Sequence, residues 1–367
     1  MSKVLMIGTG GCGNKILESF LTVLDDSFGL QSTYDGLYIN SNVREMSKLN
    51  HYTKFNSLAI DGGGTGRSPK KCKEQLKASK SKLINHFNNV LPNYDYVTII
   101  SSSDGGWGNG SIFILANIIK QLNSDMPVNL VITIPPITSR RLSLENTLSL
   151  WEDILKLQGD IDNCNSEEDR REISKINSLI CIDNDKMKNE SEFNTKVAKL
   201  LLDSMELGNG SLDGNDVERV NSACGYKVVL ELEDNKNIDN AIQDAIQDSP
   251  FVMPSDFYCT HLGAVVKEEV YNSDEPVNIF NPIDFDKCDY GDKNIIVLGG
   301  CINPTENVNI LKEALDELDR ENKSRTINKV KFTSNNKKTK PKKEEKKDKS
   351  NSVAKLRNTL SADFWND

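Results

Sequence analysis

The chain has little of what marks most enzyme classes at sight. Its 367 residues contain no G-x-x-x-x-G-K-S/T segment, which excludes a Walker-type phosphate loop. No run approaches the roughly 18 apolar residues that a membrane helix needs. It has only three histidines, and its eight cysteines never form a C-x-x-C pair, so neither a zinc site nor a disulfide framework fits. The cysteines read instead as small buried hydrophobes. The chain passes from Ser2-Lys3 straight into the short apolar run Val4–Ile7 and then a glycine cluster. That run is too short for a secretory signal, and the expectation is a cytoplasmic protein.

Charge is unevenly spread. From Arg325 onward 13 basic residues face 5 acidic ones, so the tail carries about +8 while the rest carries about −17 within a net −9. An acidic body is not a nucleic-acid-binding surface, but a basic tail can attract an anionic partner.

Strands are expected at Val4–Ile7, Gly36–Asn40, Tyr96–Ile100, Val128–Ile134 and Leu179–Ile182. Helices at Asn14–Leu24, Lys70–Phe87, Ser111–Leu122 and Leu144–Leu157 lie between them. This alternation predicts an α/β fold with a doubly wound, mostly parallel sheet, whose ligands bind at the carboxyl ends of the strands. A long amphipathic helix follows at Glu192–Leu207, with Val197, Leu200, Leu201 and Met205 on one face. Further strands at Tyr226–Leu232, His261–Glu269 and Ile295–Leu298, with helices at Ile238–Ile246 and Val308–Leu318, suggest a smaller α/β domain. The expected organisation is a nucleotide-binding domain over 1–190, a central helix over 191–208, a second domain over 209–323 and a disordered basic tail over 324–367.

Three glycine-rich segments carry the chemistry. The first is Gly8-Thr9-Gly10-Gly11-Cys12-Gly13-Asn14, directly between a strand and a helix. Glycines let backbone N–H groups approach a phosphate, and the helix adds its positive end. The second, Asp61–Pro69, includes Gly63, Gly64, Thr65 and Gly66. The third, Ser101–Ser111, again joins strand to helix through Asp104, Gly105, Gly106, Trp107, Gly108, Asn109 and Gly110. One such segment could be a flexible connection; three argue for a phosphate site. A dinucleotide-binding oxidoreductase usually has an acidic residue ending the second strand. Here Asn40-Ser41-Asn42 stands instead, and Asn40 joins the binding candidates.

On these segments the chain resembles the tubulin/FtsZ superfamily of filament-forming GTPases. Its third segment keeps the glycine frame of the family's phosphate loop, with Asp104 for the first glycine and Trp107 for a threonine. An anionic Asp104 near phosphate fits if Mg²⁺ lies between them. Leu179–Met187 is similar to the family's sixth strand, which places Asn184 at the guanine edge; an amide offers the donor and acceptor that guanine requires. Asp183-Asn184-Asp185 could alternatively do no more than cap a helix. Asn194 falls where the family often has a second base contact, and Arg140, Arg141 and Glu145 lie in the segment that aligns with the ribose contact. Ser211–Asp216 follows the long helix as the family's N-x-D-x-x-D loop does, and the resemblance gives Asp213 and Asp216 the catalytic positions. In that family the loop enters the nucleotide pocket of the next subunit. The resemblance therefore implies GTP/GDP and Mg²⁺ as cofactors, a head-to-tail homopolymer and hydrolysis on assembly.

The tail holds a lysine run, Lys337–Lys349, and then Val353, Leu356, Leu360 and Phe364 at helical spacing, with Trp365 beside the last. Apolar residues returning after a polar stretch suggest a peptide that folds on a partner. The departures in the third segment and this tail bring the chain nearer to the plasmid- and phage-borne TubZ branch. That implies DNA segregation through an adaptor protein bound to a centromere-like site, and the lysine run could add weak direct DNA contact. A division-type or scaffold filament and a nucleotide-dependent oxidoreductase are the alternatives.

Overall fold

The computed structural model describes residues 2–27, 29–158, 174–207, 212–234 and 237–326, with side chains to Lys323. The chain divides into two units, Met1–Leu318 and Asp319–Asp367. Every described strand belongs to the first, and the final turns of the last helix are the described part of the second. The expected partner-binding peptide and lysine run lie outside the described residues.

The first strands follow the alternation expected: β1 (Val4–Thr9), helix α1 (Gly10–Asp25), β2 (Tyr34–Asn40), α2 (Val43–Met46), β3 (Ser57–Ala59), α3 (Pro69–Ala78) and α4 (Lys80–Val90). Next come β4 (Tyr96–Ser102), α5 (Gly106–Leu122), β5 (Val128–Ile134), α6 (Arg141–Gln158) and β6 (Ser178–Asp183). The central helix is α7 (Glu190–Met205), and α8 (Gly214–Asn221), β7 (Gly225–Glu231) and α9 (Ile238–Asp248) follow it. The remaining elements are β8 (His261–Val266), α10 (Glu275–Phe280), β9 (Phe285–Tyr290), β10 (Ile295–Cys301) and α11 (Thr305–Thr326).

The ten strands among the described residues form one sheet in the order β3-β2-β1-β4-β5-β6-β7-β10-β8-β9. Only β10 runs against its neighbours, so the sheet is mostly parallel, as expected. β4 and β5 are buried along their whole length, because helices cover both faces of a parallel sheet. On one face α7 lies along α1, and Val197, Leu200, Leu201 and Met205 join Ile16, Leu17 and Phe20 in a single core.

Some details differ from the sequence reading. The helix expected over Lys70–Phe87 is two helices, because Ser79 leaves helical geometry at φ −98°, ψ 13°. α1 begins at Gly10 rather than Asn14, and α5 at Gly106 rather than Ser111. Gly10, Gly11 and Gly13 of the first segment and Gly106, Gly108 and Gly110 of the third thus lie in the opening turns of their helices, and the third segment has no long loop.

Candidate nucleotide site

β1 and β4 are neighbours, so α1 and α5 start side by side at the carboxyl end of the sheet. The backbones approach too closely for side chains. A Cβ on Gly13 would lie 2.2 Å from the Ile100 carbonyl oxygen, and one on Gly10, which also has φ +76°, would lie 3.0 Å from the Gly108 nitrogen. Thr9 Oγ1 and Ser111 Oγ share a hydrogen bond of 2.8 Å across the junction. Neither helix has a side-chain cap or an acidic residue in its first turn. Two adjacent helix N-termini therefore present amides to one place, an arrangement suited to an anion.

The second segment closes over this pair. A Cβ on Gly106 would meet the Ser68 nitrogen at 2.4 Å, and one on Gly110 would meet the Pro69 carbonyl at 2.5 Å. Asn146 joins the parts: its amide donates to the carbonyls of Arg67 (3.1 Å) and Asp104 (3.0 Å), while its own carbonyl accepts from Asn109 Nδ2 (2.7 Å). Gly63, Gly64 and Gly66 face open space, and Thr65 is buried. Trp107 is buried beside Gly10, with its indole N–H lacking a partner, and the buried amide of Asn14 likewise has none. Asp104 is half-buried. Burial pushes the Cys12 thiol up to about 11 despite a hydrogen bond to Thr133, which disfavours the nucleophilic thiolate.

Asn40 donates to Glu45 Oε2 at 3.3 Å and accepts from the Asn42 amide at 3.2 Å. That same Glu45 oxygen lies 3.4 Å from where a Gly11 Cβ would be, which sets both residues at the edge of the first segment. Asn184 opens a single turn after β6, and the cap of that turn is made by Asp183, which accepts from the Asp185 amide at 3.0 Å. The capping role expected of this triplet thus falls to Asp183, and Asn184 stands half-exposed at the sheet's carboxyl end. Asn194 is buried on the second turn of α7. Arg141 and Glu145 pair at 2.8 Å one helical turn apart, while Arg140 is exposed.

Asp213 and Asp216 are elsewhere. Their helix α8 lies against the amino-terminal edge of the sheet: Glu218 accepts from Ser2 at 3.1 Å, and Ser222 Oγ accepts from Asn129 at 3.1 Å. Strands of six or seven residues separate the two edges by about 20 Å. At this end Asp213 caps α8, accepting from the amides of Asn215 (2.8 Å) and Asp216 (3.0 Å), and Asp216 accepts in return from the Asp213 amide at 3.1 Å. Lys287 of β9 completes the cluster with an ion pair to Asp216. Partial burial works against charge on Asp216, but the hydrogen bond and the charge of Lys287 outweigh it and hold its pKa below the ordinary carboxylate range.

Sequence reading missed Asn146, Glu45 and Lys287. Asn146 sits inside a segment that had drawn notice for its charges, and no spacing rule marks an asparagine that bonds only backbone carbonyls. Lys287 meets Asp216 across 71 positions of sequence, a relation that only the sheet creates.

No family model matches the chain. It is 22% identical over 266 residues to the tubulin-like protein TubZ of Clostridium botulinum C phage, spanning 71% of this chain and 68% of that protein. The structure superposes on tail-truncated TubZ of Clostridium botulinum phage c-st with a TM-score of 0.74 at 21% identity, covering 87% of this chain and 98% of that one. It matches a GTPγS-form protofilament of Bacillus thuringiensis serovar israelensis TubZ with a TM-score of 0.74 at 16% identity, covering 89% and 95%. The chain has a tubulin-like fold, and in sequence and architecture it resembles the TubZ branch of the tubulin/FtsZ superfamily.

Proposed function

We propose that the chain is a GTPase that polymerises head to tail, with hydrolysis completed where Asp213 and Asp216 of one subunit meet the nucleotide of the next. The observation that carries this reading is the division of the candidate site between opposite edges of one sheet. Within a subunit, about 20 Å of strand separates the amides of α1 and α5 from the two carboxylates, so no single chain brings them together. A structural relative is known in a GTPγS-form protofilament, which supports assembly into a filament.

The residues present suit a guanine nucleotide. The uncapped amides at the starts of α1 and α5 fit phosphate, and the unpartnered Asn14 amide and Trp107 N–H leave polar capacity beside them. Asn184 offers a donor and an acceptor to the base edge. Among the described residues no cluster of three or more metal-ligating side chains occurs. A Mg²⁺ would therefore take most ligands from phosphate and water, with Asp104 as the carboxylate in the phosphate segment. Bound with GTP, it would supply charge neutralisation at the transferring phosphate. Asp213 and Asp216 orient and polarise the attacking water from the neighbouring subunit, and Lys287 keeps Asp216 ionised.

Exposed apolar side chains support end-to-end contact. Ile137, Leu142 and Met187 are 45%, 47% and 38% exposed near the nucleotide edge. Tyr258, Ile283 and Ile302, at 55%, 54% and 53%, lie where β8 and β9 begin and β10 ends, which pairing places at the opposite edge. Different patches at the two ends make a heterologous contact, which propagates as a filament. The cellular role we propose is movement of plasmid or phage DNA in the cytoplasm, with the basic tail engaging a DNA-bound adaptor.

The test is electron microscopy and light scattering with and without GTP, together with phosphate release across protein concentration. GTP-dependent filaments and a rate per subunit that rises with concentration are expected. A rate independent of concentration, with no assembly, overturns the reading. For the cellular role, a pull-down with residues 325–367 should capture a DNA-bound adaptor; capture of division proteins alone overturns that assignment.

A further inference from the structure

Lys227 of β7 is 5% exposed, and among the described residues it makes no ion pair. Its ammonium donates to one neutral acceptor, Asn221 Oδ1, at 2.9 Å. Asn221 ends α8, and its own amide donates to the Ser204 carbonyl of α7 at 2.7 Å and to the Val217 carbonyl of α8 at 3.0 Å. The same lysine borders a small internal cavity of about 10 Å³ with Asn129, whose Oδ1 has no partner. The side chains that face this space from β1, β4, β5, β6 and α7, among them Met6, Thr98, Ser178, Ile180 and Met205, carry no charge. A buried cation held by one amide is costly, and a fold that needed only to fill this space would do so with an apolar residue.

We infer that Lys227, acting through Asn221, is a positioning residue that locks the helix bearing Asp213 and Asp216 onto the central helix. This rests on the proposed role of those two aspartates. A charged donor fixes the Asn221 carbonyl oxygen more firmly than a neutral one, and so fixes which way its amide faces. The amide in turn joins the last turn of α7 to the last turn of α8 by a direct side-chain bond. Burial alone, with no charge to offset it, brings the lysine down to about 8. The lock therefore tightens below that pH and slackens above it.

The experiment follows amide hydrogen exchange of residues 214–221 in the full-length protein between pH 6.5 and 9.5, corrected for intrinsic exchange, beside phosphate release from assembled protein. In the wild type, protection should fall about tenfold as pH rises through about 8, the factor expected when a hydrogen bond to a charged group becomes a neutral one. Turnover per assembled subunit should fall over the same interval with KM unchanged. Lys227→Met should have low protection and no step near pH 8. Lys227→Arg stays charged throughout this range and should keep its low-pH protection with no step near pH 8. A wild-type step retained in Lys227→Met or in Lys227→Arg overturns the inference. Should Lys227→Met fail to fold, Lys227→Arg decides alone. Exchange needs no GTP, so an exchange step without GTP hydrolysis removes the proposed function and leaves the lock, whereas no step in either measurement removes the lock.

Discussion

The two edges of the sheet treat helix N-termini in opposite ways. At the carboxyl edge α1 and α5 begin with glycine and leave their first amides without a side-chain cap. At the amino edge α8 is closed by a reciprocal pair, Asp213 to the Asp216 amide and Asp216 to the Asp213 amide. An uncapped pair of N-termini is a positive site awaiting an anion, while a capped one has its dipole satisfied within the chain. Inside a single subunit, then, Asp213 and Asp216 are fully explained as a capping box. A catalytic role is something a neighbouring nucleotide would add to it, and substitutions must separate the two roles.

The largest effect is expected there. Asparagine caps helices about as well as aspartate, so Asp213→Asn should keep the fold and GTP affinity while phosphate release from filaments falls by about 10²–10⁴-fold. Asp213→Ala should lose as much activity and also about 1 kcal/mol of stability from the missing cap. Phosphate release and urea denaturation on both variants give the answer. If Asp213→Asn hydrolyses GTP at the wild-type rate and only Asp213→Ala is slow, the residue is a cap and the two edges do not cooperate in chemistry.

The next effect probes the carboxyl edge. Gly106→Ala forces a methyl group against the Ser68 nitrogen, and overpacking of about 1–3 kcal/mol should lower GDP affinity by roughly 10- to 100-fold. Gly64→Ala, which meets nothing within 4 Å and has no left-handed φ, should bind within twofold of wild type. Calorimetric titration with GDP compares them. Equal affinities would mean that the close approach of the second segment to α5 does not shape the site.

Much of the fold was legible beforehand, and the exceptions have physical causes. Buried parallel strands such as Val128–Ile134 announce themselves as apolar runs. β9, Phe-Asp-Lys-Cys-Asp-Tyr, does not, because an edge strand with one covered side can carry charges along its length. β3 has only three residues, too few for any periodicity. The glycines at 8–13 and 105–110 suggested a phosphate site, yet the helical placement of Gly10–Gly13 and Gly106–Gly110 was not legible, since glycine is disfavoured inside helices unless packing forbids a Cβ. The structure supplies that reason at Gly13, Gly106 and Gly110. Asn184 was read as a base contact from its place after the sixth strand, whereas Asp183 as the cap of that turn was not singled out, since this depends on which side chain reaches an amide.

A smaller effect sharpens the comparison from behind the carboxyl edge, where charged groups help to fasten α1. His51 bridges two carboxylates of α1, Nδ1 to Glu18 at 3.0 Å and Nε2 to Asp25 at 2.8 Å. Partial burial disfavours its charge, but the hydrogen bonds to Asp25 and Glu18 outweigh it and raise the imidazole above its ordinary 6.5. A raised folded value means that the stabilisation is complete below about 6.5. It disappears as pH climbs through the folded value, where the folded chain also gives up the proton. The side chain is 23% exposed and Asp25 is 64% exposed, so solvent screening keeps the contribution to about 1 kcal/mol or less. Urea denaturation of wild type and His51→Gln at pH 5.5 and 8.5 measures it, and the variant should be weaker by more at pH 5.5. An equal deficit at both values would assign His51 a packing role alone. A deficit that grows toward pH 8.5 would reverse the sign and show that the bridge works through the neutral ring. GDP affinity should be the same in both proteins at both pH values, because Glu18 and Asp25 lie two and four turns along α1 from the amides at Gly10. The fastening then belongs to the fold, and ligand binding to the uncapped turn alone.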